Sequence, residues 1–314
     1  MSCLGIDIGY GYTKAYAGTT DADGNNIVMS FPTIVTGADE SGGFSSHSCV
    51  EVDGERYYAG GDVKKGDAPW FDPRNADFVG SGSWTAVLVE AIRACNFNMY
   101  QGSIVLGMPA QQYDRTKAEE YVAALKRRTI TTGNGVSFDF HNIGIQFVPQ
   151  GFGIFLKYVS NNGVDYKSLK IGVVDIGYYT VDLIVMDHGK FINIDAKSYP
   201  LGISLLLEHI ASEFSRKYGY YITLDQAMQF INNRRVVIMG EDYDIDTGEI
   251  TKKYATQIAA VINNYVETKS LDLGIAGGGG VHVLRQITRL KKKMSAVSSP
   301  ENANAVGYWL YGTM

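Results

Sequence analysis

The chain lacks the sequence features of disulfide-bonded, metal-binding, membrane-spanning and secreted proteins. Its three cysteines, Cys3, Cys49 and Cys95, are widely separated and form no C-x-x-C pair, which predicts free thiols and argues against a disulfide framework or a zinc or iron–sulfur site. No run approaches the ~20 uninterrupted apolar residues of a transmembrane helix. The N-terminus enters a predicted strand at once and lacks the charged and apolar regions of a secretory signal. We therefore expect a cytoplasmic protein without a membrane anchor.

Positive charge and the common nucleotide motifs are also missing. The net charge is −5 over 314 residues, so there is no footprint for direct binding of nucleic acid. No G-x-x-x-x-G-K-[ST] loop occurs, and no glycine run fits G-x-G-x-x-G opening a helix. The five histidines are scattered, with no cysteine nearby to complete a metal site. The length allows about two domains.

What the chain does have is a repeated tetrapeptide, Asp-Ile-Gly-Tyr, at Asp7–Tyr10 and again at Asp175–Tyr178. In both copies a β-branched run brings the aspartate to a glycine-containing turn, and a second strand is predicted after it, at Lys14–Ala17 and Val181–Met186. Glycine permits close backbone approach, so turns of this kind expose N–H groups that can cradle phosphate oxygens. The repeat indicates a duplicated domain that holds a polyphosphate from both sides.

A third signal comes late in the chain, where the predicted strand Leu273–Ala276 runs into four glycines, Gly277–Gly280. A helix is predicted to follow from Val281 to Lys292. Glycines leave room for a flat ring, and the start of a helix offers N–H donors to a polar ligand. Alone, the cluster is equally consistent with a loop in which packing demands small residues.

Between these signals, helical and strand patterns alternate. Apolar spacing predicts helices over Ser83–Ala94, Ser204–Tyr218 and Ala255–Lys269, with Ser204 as a candidate N-cap. Short β-branched runs predict strands before and between them. The fold class is therefore α/β with mixed sheets.

Taken together, these motifs resemble those of the actin-like ATPase superfamily. The two Asp-Ile-Gly turns and the late glycine cluster are similar, in order and spacing, to its phosphate-1, phosphate-2 and adenosine motifs. Val105–Pro109 with Val148–Phe152 resembles the connect-1 region, and Asn302–Gly312 resembles connect-2. Pro200–Leu205 and Gly277–Gly280 look most like the plasmid-segregation actins of the ParM/StbA type.

The resemblance implies a two-lobed actin-like fold, a duplicated ribonuclease-H-like architecture with the nucleotide in the interdomain cleft. Domain I would comprise residues 1–165 together with a C-terminal helix, 297–314, that returns to it. Domain II would comprise residues 166–296. The ligands would be ATP and Mg²⁺, with GTP left open as the nucleotide.

The resemblance also assigns site residues. Asp7 and Asp175 would hold water ligands of Mg²⁺ and so take part in catalysis, because magnesium keeps most of its waters. The β-phosphate would be contacted by Gly9, Gly11, Tyr12, Thr13 and Lys14. The γ-phosphate would be covered by Gly177, Tyr178, Tyr179 and Thr180. The adenosine would lie over Gly277, Gly278, Gly279 and Gly280.

The residue that acts on the catalytic water is expected to be Gln150. Plasmid-segregation actins often place a glutamate just after the connect-1 proline, whereas here Pro149 is followed by Gln150. A glutamine is a poor base but can orient water, and positioning supplies much of phosphoryl-transfer catalysis. We therefore expect slow hydrolysis.

The function implied is a nucleotide-dependent polymerising ATPase that forms dynamic filaments and segregates plasmid DNA through a DNA-binding adaptor. The alternatives are a small-molecule, sugar-type kinase of the same superfamily, and a phage or chromosomal cytoskeletal actin homologue. Small sugar kinases usually carry a Cys/His zinc cluster, which the scattered histidines do not supply. Membrane-tethered relatives need a basic amphipathic tail, and the segment 303–314 has no Lys or Arg.

Overall fold

The computed structural model describes residues 2–37, 49–61, 63, 77–232, 234–285 and 294–314. The chain divides into two compact units. Unit 1 comprises Met1–Val164 together with Asn302–Met314, and unit 2 comprises Asp165–Glu301.

The strands are short and come mostly in pairs. Their bounds are β1 Ser2–Ile8, β2 Tyr12–Tyr16, β3 Met29–Pro32, β4 Val35–Gly37, β5 Cys49–Val52, β6 Glu55–Ala59, β7 Gly102–Met108, β8 Ile130–Thr132, β9 Gly144–Pro149, β10 Lys170–Ile176, β11 Val181–Asp187, β12 Lys190–Phe191, β13 Lys197–Tyr199, β14 Val236–Ile238, β15 Glu241–Tyr243, β16 Leu273–Gly277 and β17 Met294–Ala296.

Helices alternate with these strands, which confirms the α/β class. Their bounds are α1 Gly82–Ala94, α2 Arg115–Arg127, α3 Phe152–Asn162, α4 Ile203–Tyr218, α5 Leu224–Ile231, α6 Gly248–Lys269, α7 Val281–Arg285 and α8 Ala303–Thr313. Within the described residues, none of them is both long and apolar enough to cross a bilayer.

The two units repeat one sheet topology. In unit 1 the strand order is β3-β2-β1-β7-β9, and in unit 2 it is β12-β11-β10-β16-β17, with β13 added beside β11. Each sheet begins with an antiparallel hairpin, β1–β2 or β10–β11, and continues with two parallel strands. The carboxyl ends of parallel strands meet at one edge, where α/β sheets usually bind ligands. Both Asp-Ile-Gly turns lie at such an edge.

Each unit also carries a smaller sheet, with strand order β4-β6-β5-β8 in unit 1 and β14-β15 in unit 2. The apolar cores are separate. Unit 1 is built around the buried helix α1, and unit 2 around α4 and α6. The central strands are buried on both faces, which explains their nearly continuous apolar sequence.

Helix ends differ from the prediction in informative ways. The expected N-cap Ser204 is wrong, because α4 begins at Ile203 with Gly202 as its cap. Helix α6 begins at Gly248, seven residues before the predicted start. The predicted helix Val281–Lys292 is described as far as Arg285, and the remainder lies outside the described residues.

The predicted C-terminal helix, 297–314, is also too long, because α8 begins only at Ala303. The Val297 amide donates to the Ala276 carbonyl at 3.0 Å, which extends the contact with β16 beyond β17. Ser299 then takes a positive φ of 42°, which no α-helix accommodates. A 3₁₀ turn, Pro300–Asn302, leads into α8.

Candidate functional site

The two Asp-Ile-Gly turns have the same backbone geometry. In the first, the Gly9 amide donates to the Tyr12 carbonyl at 3.2 Å; in the second, the Gly177 amide donates to the Thr180 carbonyl at 2.9 Å. The strand register also agrees, since each aspartate faces the residue seven positions later. The turns are therefore equivalent position by position, as the duplicated sequence predicts.

The carbonyls of the first turn are held by Thr33, the residue after β3. Its hydroxyl donates to the Gly9 carbonyl at 2.7 Å, and its amide donates to the Gly11 carbonyl at 3.0 Å. In a trans peptide the C=O and the next N–H point in opposite directions. The amides of Tyr10 and Tyr12 are therefore directed away from Thr33.

Thr13 lies behind this turn, where its hydroxyl is bonded inside the unit. Its side chain is fully buried, and its Oγ1 lies 2.8 Å from Oγ1 of Thr33. Thr33 already gives its only hydroxyl proton to Gly9, so Thr13 must be the donor in this contact. The structure thus places the Thr13 hydroxyl in the support of the turn, whereas the sequence suggested a contact with phosphate.

The second turn rests on the N-terminus of α4. Amides of Gly202, Ile203 and Ser204 donate to turn carbonyls at 3.0, 3.1 and 2.7 Å. The acceptors, in the same order, are the carbonyls of Tyr179, Gly177 and Tyr178. These bonds satisfy helix amides that a side-chain cap would otherwise serve, which explains why α4 needs no serine cap. By the same trans-peptide rule, the amides of Tyr178, Tyr179 and Thr180 are directed away from α4.

Gly202 has a steric reason to be glycine. Its φ of −67° is open to any residue, but a methyl group there would overlap the backbone between Tyr178 and Thr180. The turn can therefore lie directly on the helix only because position 202 has no side chain.

Asp7 is a buried carboxyl group at the end of the first hairpin strand. It is 7% exposed, and burial raises the pKa of its carboxyl, opposed by the charge of Lys14 and by bonds from Asn304 and Gln150. Lys14 faces Asp7 across the β1–β2 pair. Its ammonium also reaches the turn, since a methyl group built on Gly9 would lie 3.7 Å from Lys14 Nζ.

Gln150 lies beside Asp7 at the same sheet edge. The backbone N–H of Gln150 donates to the Met108 carbonyl at 2.8 Å, which continues the β7–β9 pairing by one residue. Its Nε2 lies 3.5 Å from Asp7 Oδ1, a long contact. A carboxylate only accepts hydrogen bonds, so Nε2 turns toward Asp7 and leaves Oε1 to accept from another donor.

Asn304, on α8, was not predicted from the sequence and connects these residues. It is 5% exposed, its Oδ1 accepts the Gly151 amide at 3.1 Å, and its side chain also bonds to Asp7. Helix α8 reaches this position because Gly153 of α3 and Gly307 of α8 meet backbone to backbone. An asparagine in a terminal helix gives no sequence signal for this role.

In unit 2, the structure brings Asp175 and the glycine cluster together. Asp175 is the penultimate residue of β10 and pairs with Gly277, the last residue of the parallel strand β16. Gly278 has a φ of +84°, and a methyl group there would overlap Asp175 Oδ1. Its amide donates to the Pro300 carbonyl, and the Gly280 amide donates to the Ile176 carbonyl, at 2.8 and 2.9 Å.

Asp182 is a second residue that the predicted set omits. It faces Asp175 across the β10–β11 pair, and its Oδ2 accepts the Thr180 hydroxyl at 2.7 Å. Burial raises the pKa of its carboxyl, opposed by bonds from Ser198 and Thr180. The signal that could have identified it is the spacing: Asp182 follows Asp175 by seven residues, as Lys14 follows Asp7.

Comparison with known proteins supports the resemblance. The family model "Actin like proteins N terminal domain" matches residues 5–153, and the model "Archaeal actin homologue MreB-like, C-terminal" matches residues 173–290. Together they span most of both units. No curated protein matches the chain in sequence.

Solved structures match over nearly the full length. An archaeal actin homologue aligns with a TM-score of 0.75 at 18% identity, covering 100% of this chain and 99% of that one, and has also been solved in complex with ADP. A ParM from a 15-stranded filament of Clostridium botulinum aligns with a TM-score of 0.73 at 20% identity, covering 99% of each chain. A non-polymerisable quadruple mutant of pCBH ParM aligns with a TM-score of 0.70 at 22% identity, covering 99% of each chain. At these identities the likeness establishes the fold.

Proposed function

The chain belongs to the actin-like superfamily, and we propose that it is a nucleotide-dependent, filament-forming ATPase. The observation that carries this proposal is the pair of equivalent turns, one in each unit. Each presents backbone amides directed away from the element that supports it, at the carboxyl edge of a sheet, next to an aspartate. This is the arrangement that polyphosphate requires.

The residues fit ATP with Mg²⁺. The amides of the first turn, together with Lys14, are suited to the β-phosphate, and the amides of the second turn are suited to the γ-phosphate. Gly279 leaves open backbone for a flat base, since a methyl group there would lie 4.0 Å from its nearest neighbour, Glu301 Cβ. Bound Mg²⁺, held through water by Asp7 and Asp175, would supply a positive charge against the phosphate oxygens.

Gln150 is proposed to orient the attacking water. Because its Nε2 faces Asp7, its Oε1 is the atom that accepts a proton of that water in a hydrogen bond, without removing it. Asn304 holds both Asp7 and the Gln150–Gly151 turn, so we propose that it positions the pair. Thr13 and Thr33 support the first turn and are not proposed to touch nucleotide.

The proposed cellular role is segregation of plasmid DNA by dynamic filaments. The net charge of −5 supports attachment through a DNA-binding adaptor, because an acidic surface does not favour direct contact with phosphates. A phage or chromosomal actin homologue would share the same chemistry and differ in its cargo.

The first test is light scattering and sedimentation after adding Mg-ATP, Mg-GTP or Mg-ADP to the purified protein. We expect scattering that rises with triphosphate and decays as phosphate is released. Binding of nucleotide without assembly would contradict the filament proposal and favour a kinase, to be followed by a screen for acceptors.

The catalytic assignment has its own test. We expect Gln150→Ala to lower kcat about 10- to 100-fold, as for other groups that position a reactant, while leaving the Kd for ATP unchanged, because the side chain is proposed to contact water and not nucleotide. Loss of ATP binding in this variant would show that Gln150 has a structural role.

A further inference from the structure

Three glycines of the late cluster differ in the reason for being glycine. Methyl groups on Gly278 and Gly280 would overlap side chains at the end of β10, and Gly278 also has a φ of +84°, which favours glycine. Neither reason applies to Gly279. Its φ lies outside the left-handed region, and the nearest atom to a methyl group there, Glu301 Cβ, would be 4.0 Å away. Within unit 2, the space beside Gly279 is therefore open, at the place proposed for the base.

Glu301, the residue nearest to this space, is paired with a histidine. Its Oε2 lies 2.8 Å from Nε2 of His282, in the first turn of α7. The Gly278 amide donates to the Pro300 carbonyl at 2.8 Å, which joins the 3₁₀ turn that carries Glu301 to the glycine cluster. The side chains of His282 and Glu301 are 54% and 39% exposed, so a bound molecule can reach both. The pair therefore lies beside the open backbone at Gly279.

The bond to Glu301 determines which nitrogen of His282 carries the proton. A carboxylate only accepts hydrogen bonds, so Nε2 must be the donor. A neutral imidazole has one N–H, and Nδ1 is then an acceptor. Nδ1 has no hydrogen-bond partner among the residues that the structure describes. The pair thus offers hydrogen-bond acceptors, and no further donor, to a molecule at Gly279.

Adenine and guanine differ in the group that they carry at position 6. Adenine has an amino group there, which donates, whereas guanine has a carbonyl oxygen, which accepts. An acceptor pair can bond to the amino group, but it places lone pairs against the carbonyl oxygen of guanine, which lowers affinity.

Guanine also has N–H donors at N1 and N2, and these pair best with both oxygens of one carboxylate. Glu301 already accepts the His282 N–H at Oε2, so pairing of this kind would compete with an existing bond. The acceptor at His282 Nδ1 is better matched by a single amino group. The chemistry of the pair therefore favours adenine.

From these observations we propose that His282, oriented by Glu301, determines purine specificity by accepting a hydrogen bond from the 6-amino group of adenine. The sequence left ATP and GTP open as the nucleotide, and this pair favours ATP. The inference rests on the proposed function, because it adds a specificity-determining residue to the proposed nucleotide site. Glu301 is a positioning residue, because it acts through the tautomer of His282.

The first test measures the Kd of wild-type protein for triphosphates that differ only in the base, at about pH 8, which favours neutral imidazole. We expect GTP to bind about 10- to 100-fold more weakly than ATP. Inosine triphosphate has the 6-carbonyl and lacks the 2-amino group, and it should bind as weakly as GTP. The triphosphate of 2,6-diaminopurine riboside keeps the 6-amino group and should bind like ATP.

Two substitutions test whether the discrimination lies at His282. His282→Ala removes the acceptor and should bring the Kd values for GTP and ATP to within about threefold of each other. His282→Lys replaces the acceptor by a donor and should lower the GTP-to-ATP ratio of Kd values further, since an ammonium group can donate to the 6-carbonyl. The matched control is His209→Ala, an exposed histidine on α4 in the same unit, which should leave the ratio unchanged.

The role of Glu301 has a separate readout. Glu301→Ala should also lower the GTP-to-ATP ratio, because the tautomer of His282 is then no longer fixed. The Kd for purine riboside triphosphate, which has no group at position 6, should stay the same in this variant. Weaker binding of every triphosphate would show that Glu301 only supports the fold of the loop.

The outcomes separate this inference from the proposed function. Wild-type protein that binds no nucleoside triphosphate would overturn both. Wild-type protein that binds GTP as tightly as ATP would overturn only the purine assignment, and so would GTP bound more tightly than inosine triphosphate, which would indicate contact with the 2-amino group. An unchanged ratio in His282→Ala would assign the discrimination to other residues. If a variant melts at a clearly lower temperature, the series of bases with wild-type protein decides.

Discussion

The two Asp-Ile-Gly hairpins have the same backbone geometry but differ in the residue that lies opposite the aspartate. In unit 1 the residue opposite Asp7 is Lys14, whereas in unit 2 the residue opposite Asp175 is Asp182. Directly opposed side chains in an antiparallel pair lie on the same face of the sheet, and like charges there are unfavourable. The first hairpin therefore contains its own counter-charge, whereas in the second Asp182 is stabilised by hydrogen bonds from Thr180 and Ser198.

The supports of the two turns differ in the same way. Thr33 holds the first turn through its own amide and hydroxyl, while α4 holds the second through three helix amides. The first turn is thus fixed locally, and the second is attached to an element that extends across its unit. From this difference we expect the first turn to be the static anchor for nucleotide and the second to respond to the γ-phosphate.

The largest expected effect comes from removing Asp175. Asp175→Ala should lower the rate of ATP hydrolysis about 1,000-fold or more, because it removes a carboxylate proposed to hold the water ligands of Mg²⁺. Phosphate release by the purified variant measures this. Asp225→Ala, an exposed aspartate in the same unit, is the control, and turnover at the wild-type rate in Asp175→Ala would contradict the site assignment.

In unit 1 the residue to test is Asn304, which bonds both to Asp7 and to the Gly151 amide, and the variant is Asn304→Ala. Residues that hold site residues in place typically contribute about 10- to 100-fold to activity, so kcat should fall by that factor while the Kd for ATP changes little. Asn162→Ala, on the exposed end of α3, is the control. If kcat fell only together with a clear drop in melting temperature, Asn304 would have a packing role alone.

The support of the second turn is tested by Gly202→Ala. The added methyl group would displace the turn from α4, and we expect ATP affinity to fall about 10-fold, measured with a fluorescent nucleotide. Gly144→Ala is the matched control, since a methyl group there meets only Ser103 Cβ at an ordinary 3.5 Å. Unchanged affinity would mean that the turn tolerates displacement.

The smallest effect concerns Asp182 in protein without nucleotide or metal. Because burial raises the pKa of this carboxyl, the folded protein retains a proton that the unfolded chain loses above about pH 4. The free energy of unfolding should therefore fall as pH rises through that window and level off above the folded-state pKa. Asp182→Asn should reduce this slope, and denaturant titrations at several pH values measure it. An identical slope in both proteins would assign the pH dependence to other groups.

Sequence patterns located both hairpins because the repeat is local: a β-branched strand, an aspartate and a glycine turn lie within about ten consecutive positions in each copy. They were less accurate at helix ends. Ser204 looked like an N-cap because serine usually caps helices, but the carbonyls of the turn already satisfy those amides. Helix α3 was not predicted, since Gly151 and Phe152 follow a strand without a capping side chain.

What the sequence by itself determined is the duplicated hairpin, the α/β alternation and the actin-like family, because each depends on residues close together along the chain. Tertiary structure alone decided which side chains support the turns. Thr33 reaches Gly9 across a strand pair, and Asn304 reaches Asp7 from the far end of the chain, through helices that touch at glycine. Such contacts depend on packing between distant segments, and no local pattern encodes them. The same holds for Thr13, a turn residue by sequence whose hydroxyl is turned inward because a buried partner lies within hydrogen-bonding distance.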